Sequence, residues 1–248
     1  MSSLSFLGNT TSYLRIPNVD GFDFGTGDFT IEWYQYQTDN NNYPRIFQVG
    51  NYPTATIGVS IEGDKLFYWR KDSSLPDASY ENITPTRPIK NQWNHFAICR
   101  SSGVTKIFMN GTSIHSMNDT TNFNGTLDLT IGNEPRLSTN FASFGGYIKY
   151  FTWVKGAALY TTDFTVSNNY PTLTDDYVLL LTASSFTGTL GSTVVNYNVL
   201  PPINAPSNNL RMLTPLFTNN AQVYYKPGSL APGGVGSVRN SSVKARRT

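Results

Sequence analysis

A pyranose ring presents an apolar face edged by hydroxyls, so its recognition calls for an aromatic side chain beside amides or carboxylates. Two short stretches carry that combination: Asn41, Asn42 and Tyr43 are consecutive, and Tyr52 follows an asparagine. Asn41, Asn42, Tyr43 and Tyr52 are therefore the candidate ligand contacts. The aspartates suggest a second chemistry. Asp20, Asp23 and Asp28 cluster in NVDGFDFGTGD, while Asp119 and Asp128 flank an asparagine-rich stretch. Hard oxygen ligands on flexible loops are what Ca²⁺ takes. Their spacing matches no rigid ligand set, however, and Asp-Gly and Asn-Gly are ordinary turn residues. The expectation is no bound metal and no cofactor, with Ca²⁺ at these aspartates as the alternative.

No spacing of residues points to catalysis. The chain has no Gly-x-Ser-x-Gly elbow, no phosphate-binding glycine loop and no HExxH. His95 and His115 are the only histidines, and His95 in WNHFAICR reads as a packed, hydrogen-bonded imidazole. Glu32, Glu62, Glu81 and Glu134 are isolated in sequence, and Glu32 between Ile31 and Trp33 reads as a strand residue facing solvent. Cys99 is the sole cysteine, which rules out an internal disulfide and fits folding in a reducing compartment. In mid-strand, it reads as a small buried apolar group.

The elements that must position these groups are strands. Aromatic residues make up 14% of the chain and charged residues also only 14%, with Asn, Thr, Ser and Gly filling the connections; this favours an all-β fold with many turns. From Asn91 to Ser116 three strands are expected, broken at Ser101-Ser102-Gly103 and at Asn110-Gly111. Asn-Gly accepts positive φ at both central positions of a type I′ turn, the strongest short-range hairpin signal. A second hairpin is expected at Glu62-Gly63-Asp64. In GYIKYFTWV, period-2 alternation would put Tyr147, Lys149, Phe151 and Trp153 on one face and Ile148, Tyr150, Thr152 and Val154 on the other. Helical periodicity is absent, apart from one turn at most over Gly156 to Tyr160.

Charge and composition divide the chain near position 200. The net +2 conceals −3 before residue 226 and +5 from there onward, from Lys226, Arg239, Lys244, Arg246 and Arg247. Such asymmetry suits an arm that meets an acidic partner. Prolines and glycines recur from Pro201 onward, so residues 201–248 are expected to form an extended arm beside a sandwich over residues 1–200. Its partner-binding groups would be Leu213, Phe217, Tyr224, Tyr225, Lys244, Arg246 and Arg247. SVRNSSVKARRT offers cations for phosphate contacts but no aromatic interleaving, a weak signal for nucleic acid. No run of about 18 apolar residues exists, so no membrane span is expected. The N-terminus carries neither a basic region nor a long apolar stretch, so no secretory signal is expected.

Tryptophan followed by Asn-His-Phe-Ala, an arginine, a turn and a strand ending in Asn-Gly resembles the central meander of laminin-G-like and concanavalin A-like jelly rolls. SLSFLGNTTSYLRIP is similar to that family's opening strands and FGTGDFTIEWYQY to its second pair. RIFQVGN, GVSIEGDKLFYW and LTIGNEP follow in the family's order, and YVLLL stands where its last strand does. The resemblance implies a two-sheet antiparallel β-sandwich whose usual work is binding and assembly. Its enzymatic branch carries Glu-x-Asp-x-x-Glu on one strand, acid and nucleophile sharing a face; nothing here matches, which implies a protein that is not an enzyme. FGGYIKYFTWVKGAALYTTDFT resembles the closing strand and alanine-rich turn of viral and phage members. That implies a structural virion component, such as a minor capsid protein, made in the host cytoplasm and joined to other virion subunits through residues 201–248. The alternative is a lectin-like module that binds a glycan for host attachment, with Ca²⁺ in many relatives.

Overall fold

The computed structural model describes residues 2–17, 22–38, 41–51, 54–62, 65–72, 79–83, 90–124, 127–167, 177–181, 195–197, 200–204 and 223–225. They build two antiparallel sheets. Across the first run β10 (Thr112–Asn118), β9 (Val104–Met109), β8 (Trp93–Ser101), β3 (Phe29–Gln37), β12 (Gly145–Lys155), β1 (Ser2–Leu7) and β15 (Leu200–Asn204). β13 (Tyr177–Leu181) pairs with the second half of β12, and β16 (Val223–Tyr225) pairs with β13. The second sheet runs β14 (Val195–Tyr197), β2 (Tyr13–Ile16), β11 (Leu129–Ile131), β4 (Arg45–Val49), β5 (Ile57–Glu62), β6 (Lys65–Arg70) and β7 (Ser79–Ile83). Among the described residues the only helix is the 3₁₀ turn Asn140–Ala142. Gly156 to Tyr160, where one helical turn was the most expected, is irregular.

The expected meander forms β8, β9 and β10. Its two connections are two-residue turns with positive φ at both positions, 49° and 77° at Ser102-Gly103 and 51° and 83° at Asn110-Gly111. Before β3 the expected pair is reduced to one strand plus a single bridge, Gly25 to Phe123. The β5–β6 pairing closes at Glu62 opposite Lys65, while Gly63 and Asp64 lie outside the described residues.

Alternation fills the space between the sheets. Phe29, Ile31 and Trp33 of β3 face inward with Phe96 and Ile98 of β8, and Phe47, Val49, Val59 and Ile61 meet them from the other sheet. Trp33 meets Phe47 edge-on at 5.5 Å between ring centroids, and Phe47 meets Phe151 and Trp153 at 5.4 and 6.1 Å. Aromatic pairs of this geometry stabilise by about 0.5–1.5 kcal/mol each beyond area burial.

Strand β12 departs from strict alternation. Lys149 pairs with Tyr34 and Thr152 with Glu32, so two residues of β12 oppose one of β3. Tyr150 takes φ of 51° at that point. This is a β-bulge, and the extra residue shifts the period by one. Ile148 therefore joins Phe151 and Trp153 in the core, while Lys149 is separated from them, contrary to the expected face.

Residues 156–167 cross the outer face of the first sheet as a strap. Lys106 Nζ donates to Thr161 O at 2.7 Å, Phe164 N to Gly111 O at 2.9 Å and Ser113 N to Asp163 Oδ1 at 2.8 Å. Tyr34 OH donates to Ser167 O. Beneath it Cys99, Ala97 and Phe108 pack with Tyr160 and Phe164. Glu32, expected to face solvent, lies buried in this second apolar layer, because the strap brings Tyr160 OH to its Oε2 at 2.9 Å, with His95 Nε2 at 3.3 Å. His95 is packed as expected.

Burial pushes the Cys99 thiol from 9.0 up to about 11, and burial and the nearby Glu32 push the Tyr34 phenol from 10.0 up to about 12. Both groups hold their protons more tightly folded than unfolded, so their contribution is complete below pH 9.0 and fades as pH rises toward about 11 and about 12. Denaturant midpoints measured from pH 8 to 11 should fall through this window. A thiol reagent at pH 8 should label Cys99 only after unfolding; rapid labelling of the native protein would contradict this burial.

Candidate functional site

At one end of the sandwich three loops, residues 8–12, 41–44 and 132–144, are tied together by asparagines. Asn41 Nδ2 donates to Gly8 O at 3.0 Å and Ser143 O at 2.7 Å, so this amide braces the rim. Asn133 Nδ2 donates to Thr10 O at 3.0 Å, and Thr10 N donates to Asn140 Oδ1 at 3.1 Å. Asn42 is exposed, and the half-buried Tyr43 ring lies 4.3 Å from that of Phe141, itself 44% exposed. The expected contacts thus divide: Asn42 and Tyr43 stand at an aromatic rim, Asn41 holds it in shape, and Tyr52 lies outside the described residues.

The same 132–144 loop borders a cavity of about 320 Å³ on the outer side of the second sheet. Strands β2 and β11 supply its floor: Leu14, Ile16, Leu129 and Ile131 point into the core, so alternation turns Tyr13, Arg15 and Thr130 outward to line it. Gly50 and Asn51 after β4, Leu127 and Asp128 before β11, and Pro135 and Arg136 after it form the walls. Gly50 takes φ of 79° and donates its N–H to Asp128 O at 2.9 Å, which closes the wall. A Cβ there would also run into Leu127, at 2.6 Å from its Cδ1.

The charged lining residues are each engaged. Arg15 Nε donates to Asp128 Oδ2 at 2.6 Å, with its Nη2 against the same oxygen. Arg136 Nε donates to Glu134 Oε1 at 3.1 Å, and the buried Glu134 accepts Gln48 Nε2 on Oε2 at 2.7 Å. Two half-exposed guanidiniums therefore border the cavity, each beside its own carboxylate. The arrangement offers donors and acceptors side by side over a partly apolar wall. It can hold a small polyhydroxylated molecule.

Among the described residues no three of His, Cys, Asp and Glu come together to hold a metal ion. Asp23 meets Lys155 Nζ at 3.2 Å, Asp28 accepts Ser102 N at 2.8 Å, and Asp128 meets Arg15. Asp119 is buried, accepting Thr105 Oγ1 at 2.7 Å with Arg70 Nε at 3.4 Å. Asp20 lies outside the described residues. So do Leu213, Phe217, Lys244, Arg246 and Arg247 of the expected arm; Tyr224 and Tyr225 belong to β16, opposite Leu180 and Leu179. No helix among the described residues is long and apolar enough to cross a membrane.

Tyr13, Arg15, Thr130 and Arg136 were not foreseen as site residues, whereas Asn51 belongs to the asparagine–tyrosine pair singled out in the sequence. Strand alternation alone marks Arg15 and Thr130 as outward. That β2, β11 and β4 are neighbours is a property of topology, and only their adjacency makes a cavity of them.

Residues 7–167 match the family model described as the concanavalin A-like lectin/glucanases superfamily, of laminin-G type. The chain belongs to that superfamily. Among solved structures, a Bacteroides ovatus protein assigned to carbohydrate binding aligns with a TM-score of 0.58 at 16% identity. The match covers 81% of this chain and 60% of that one. Looser likenesses, each with a TM-score of 0.47, are to domains LG4-5 of the mouse laminin α1 chain and to the Ruminococcus gnavus sialidase module CBM40 bound to α2,6-sialyllactose. Their identities are 14% and 15%, covering 66% and 64% of this chain and 45% and 93% of theirs. No curated protein matches the chain.

Proposed function

We propose that the chain is a non-catalytic, lectin-like module that binds a glycan in the cavity between β2, β11 and the end of β4. The carrying observation is the cavity itself, in which Tyr13, Arg15, Asn51, Asp128, Thr130 and Arg136 converge beside the apolar Leu127 and Pro135. Its size is at the small end of the range for ligand sites, roughly 300–1,000 Å³, which suits one or two sugar rings. Membership of a superfamily of lectins and glucanases supports the reading, as does the carbohydrate binding assigned to the Bacteroides ovatus protein. The carboxylates beside this face argue against glycosidase chemistry. Glu134 is held by Gln48 and Arg136, and Glu62 by Arg45 and Ser60, so each is engaged in the sheet's own network.

Isothermal titration with neutral disaccharides tests the reading. Removing a hydrogen-bonding group from a ligand site costs about 1–3 kcal/mol, roughly 5- to 150-fold in affinity. Tyr13→Ala and Arg136→Ala should each weaken binding by that factor. Unchanged binding in both would move the site elsewhere.

The second reading is a virion component anchored by its C-terminal part. The segregation of +5 net charge into residues 226–248 and the likeness of the Phe144 to Thr165 stretch to viral and phage members favour it. It carries with it the division at position 200, partner subunits and a location in the virion. The described cavity serves the glycan reading and has no part in this one.

A further inference from the structure

We infer that the cavity selects neutral sugars and rejects those carrying a carboxylate. This rests on the reading of the cavity as a glycan site. Two guanidiniums reaching into a small cavity would ordinarily suit an anion, since a carboxylate accepts two parallel N–H bonds from one arginine. Here that position is already taken. Arg15 places both Nε and Nη2 on Asp128 Oδ2, the same fork an anionic ligand would need. Arg136 is bound through Nε to Glu134, whose side chain is only 2% exposed.

The cost of displacement decides the specificity. An anion that drew the Arg136 guanidinium away would take the neighbouring cation from the buried Glu134, and uncovering a buried charge is strongly unfavourable. An anion near Arg15 would also stand within a few ångströms of Asp128, and like charges in a partly desolvated site repel. The two cations and two anions around the cavity cancel, so no net field attracts a charged ligand.

A neutral diol meets the opposite situation. One hydroxyl can donate to Asp128 while its neighbour accepts from a guanidinium, so both ion pairs stay intact and gain a partner. Thr130 and Asn51 add hydroxyl and amide groups, and Leu127 and Pro135 offer apolar surface to the C–H face of the ring. Paired charges thus act as preorganised donor and acceptor arrays.

The test is a titration of the full chain, ¹⁵N-labelled, with lactose, cellobiose and maltose and, separately, with sialyllactose and digalacturonic acid. Backbone amides of Asn51, Asp128, Thr130 and Arg136 should shift with at least one neutral sugar and with neither acidic one at equal millimolar concentration. Asp128→Asn removes one negative charge from a side chain that is 31% exposed. It should weaken the neutral sugar about tenfold and bring a measurable response to an acidic one. Shifts at these amides with an acidic sugar in the unaltered protein would overturn the neutral selectivity while leaving the glycan reading in place. Silence toward every sugar would overturn both.

Discussion

Replacing Arg100 by alanine is expected to lower the melting temperature by about 6–20 °C, corresponding to about 3–5 kcal/mol in a chain of this size. Arg100 is fully buried at one end of the core, between the rings of Phe29 and Phe123 at 5.0 and 4.9 Å. Its guanidinium donates to three backbone carbonyls: Gly25 at 2.8 Å, Gly27 at 2.9 and 2.5 Å, and Thr121 at 2.7 Å. Those carbonyls belong to two loops that are otherwise paired through the single Gly25–Phe123 bridge. Burial lowers the arginine's pKa, an effect opposed first by Asp119, and the group remains a cation. Its loss would strip the Gly27 and Thr121 carbonyls of their arginine donors, which water can partly replace because Gly27 is exposed and Thr121 half-buried, would leave Gly25 O with the Phe123 N–H, and would open a cavity between two aromatic rings. Arg100→Met separates these effects, since it fills space but donates nothing; Arg100→Lys keeps the charge without the planar fork. Melting curves should rank the variants with lysine least affected and alanine most. A methionine variant melting within about 2 °C of the unaltered protein would show that packing, not carbonyl capture, is what Arg100 supplies.

The same residue marks where sequence reading stops. Arg100 was visible as the arginine that ends the tryptophan strand, and the strand itself was legible because its signals are local: a compact aromatic run, then a two-residue turn. The hairpins at Ser102-Gly103 and Asn110-Gly111 follow from that chemistry, and both form. What Arg100 binds was not legible, since Gly25 and Thr121 reach it only through the fold. Three other features fail for the same reason. The bulge at Tyr150 shifts the face of every later residue in β12, although the sequence there alternates without fault. Glu32 looks solvent-facing until the strap crosses it 128 residues later with Tyr160. The cavity needs β2, β11 and β4 side by side, an order that local propensity does not encode. Of the foreseen ligand groups, Asn42 and Tyr43 stand at the adjoining rim, and the Asn41 amide donates to the Gly8 and Ser143 carbonyls there.

Gly146 illustrates a motif that was legible before its reason was. It belongs to the Phe144-Gly145-Gly146-Tyr147 run that carries the family likeness, and it sits on the central strand β12, opposite Phe6 of β1 on one side and Gln37 of β3 on the other. Its φ is 141°, a region that residues with a Cβ rarely adopt. A Cβ here would fall on the Tyr36 carbonyl oxygen, with Tyr36 C at 3.1 Å and Gln37 Cα at 3.0 Å. Those are backbone atoms, so no rotamer change can yield room and the two strands would have to part. Gly58 offers the contrast. A Cβ on it meets the indole of Trp69, with Cε2 at 2.5 Å and Cη2 at 2.9 Å, but that obstacle is one side chain, which can tilt. Gly146→Ala should therefore cost more than Gly58→Ala, roughly 3–5 kcal/mol against about 1–3 for a clash relieved by repacking. Paired melting curves read the order directly. If Gly58→Ala proved the more damaging of the two, Trp69 would be held more rigidly than the β3–β12 backbone, and the close approach at Gly146 would not be what excludes a side chain there.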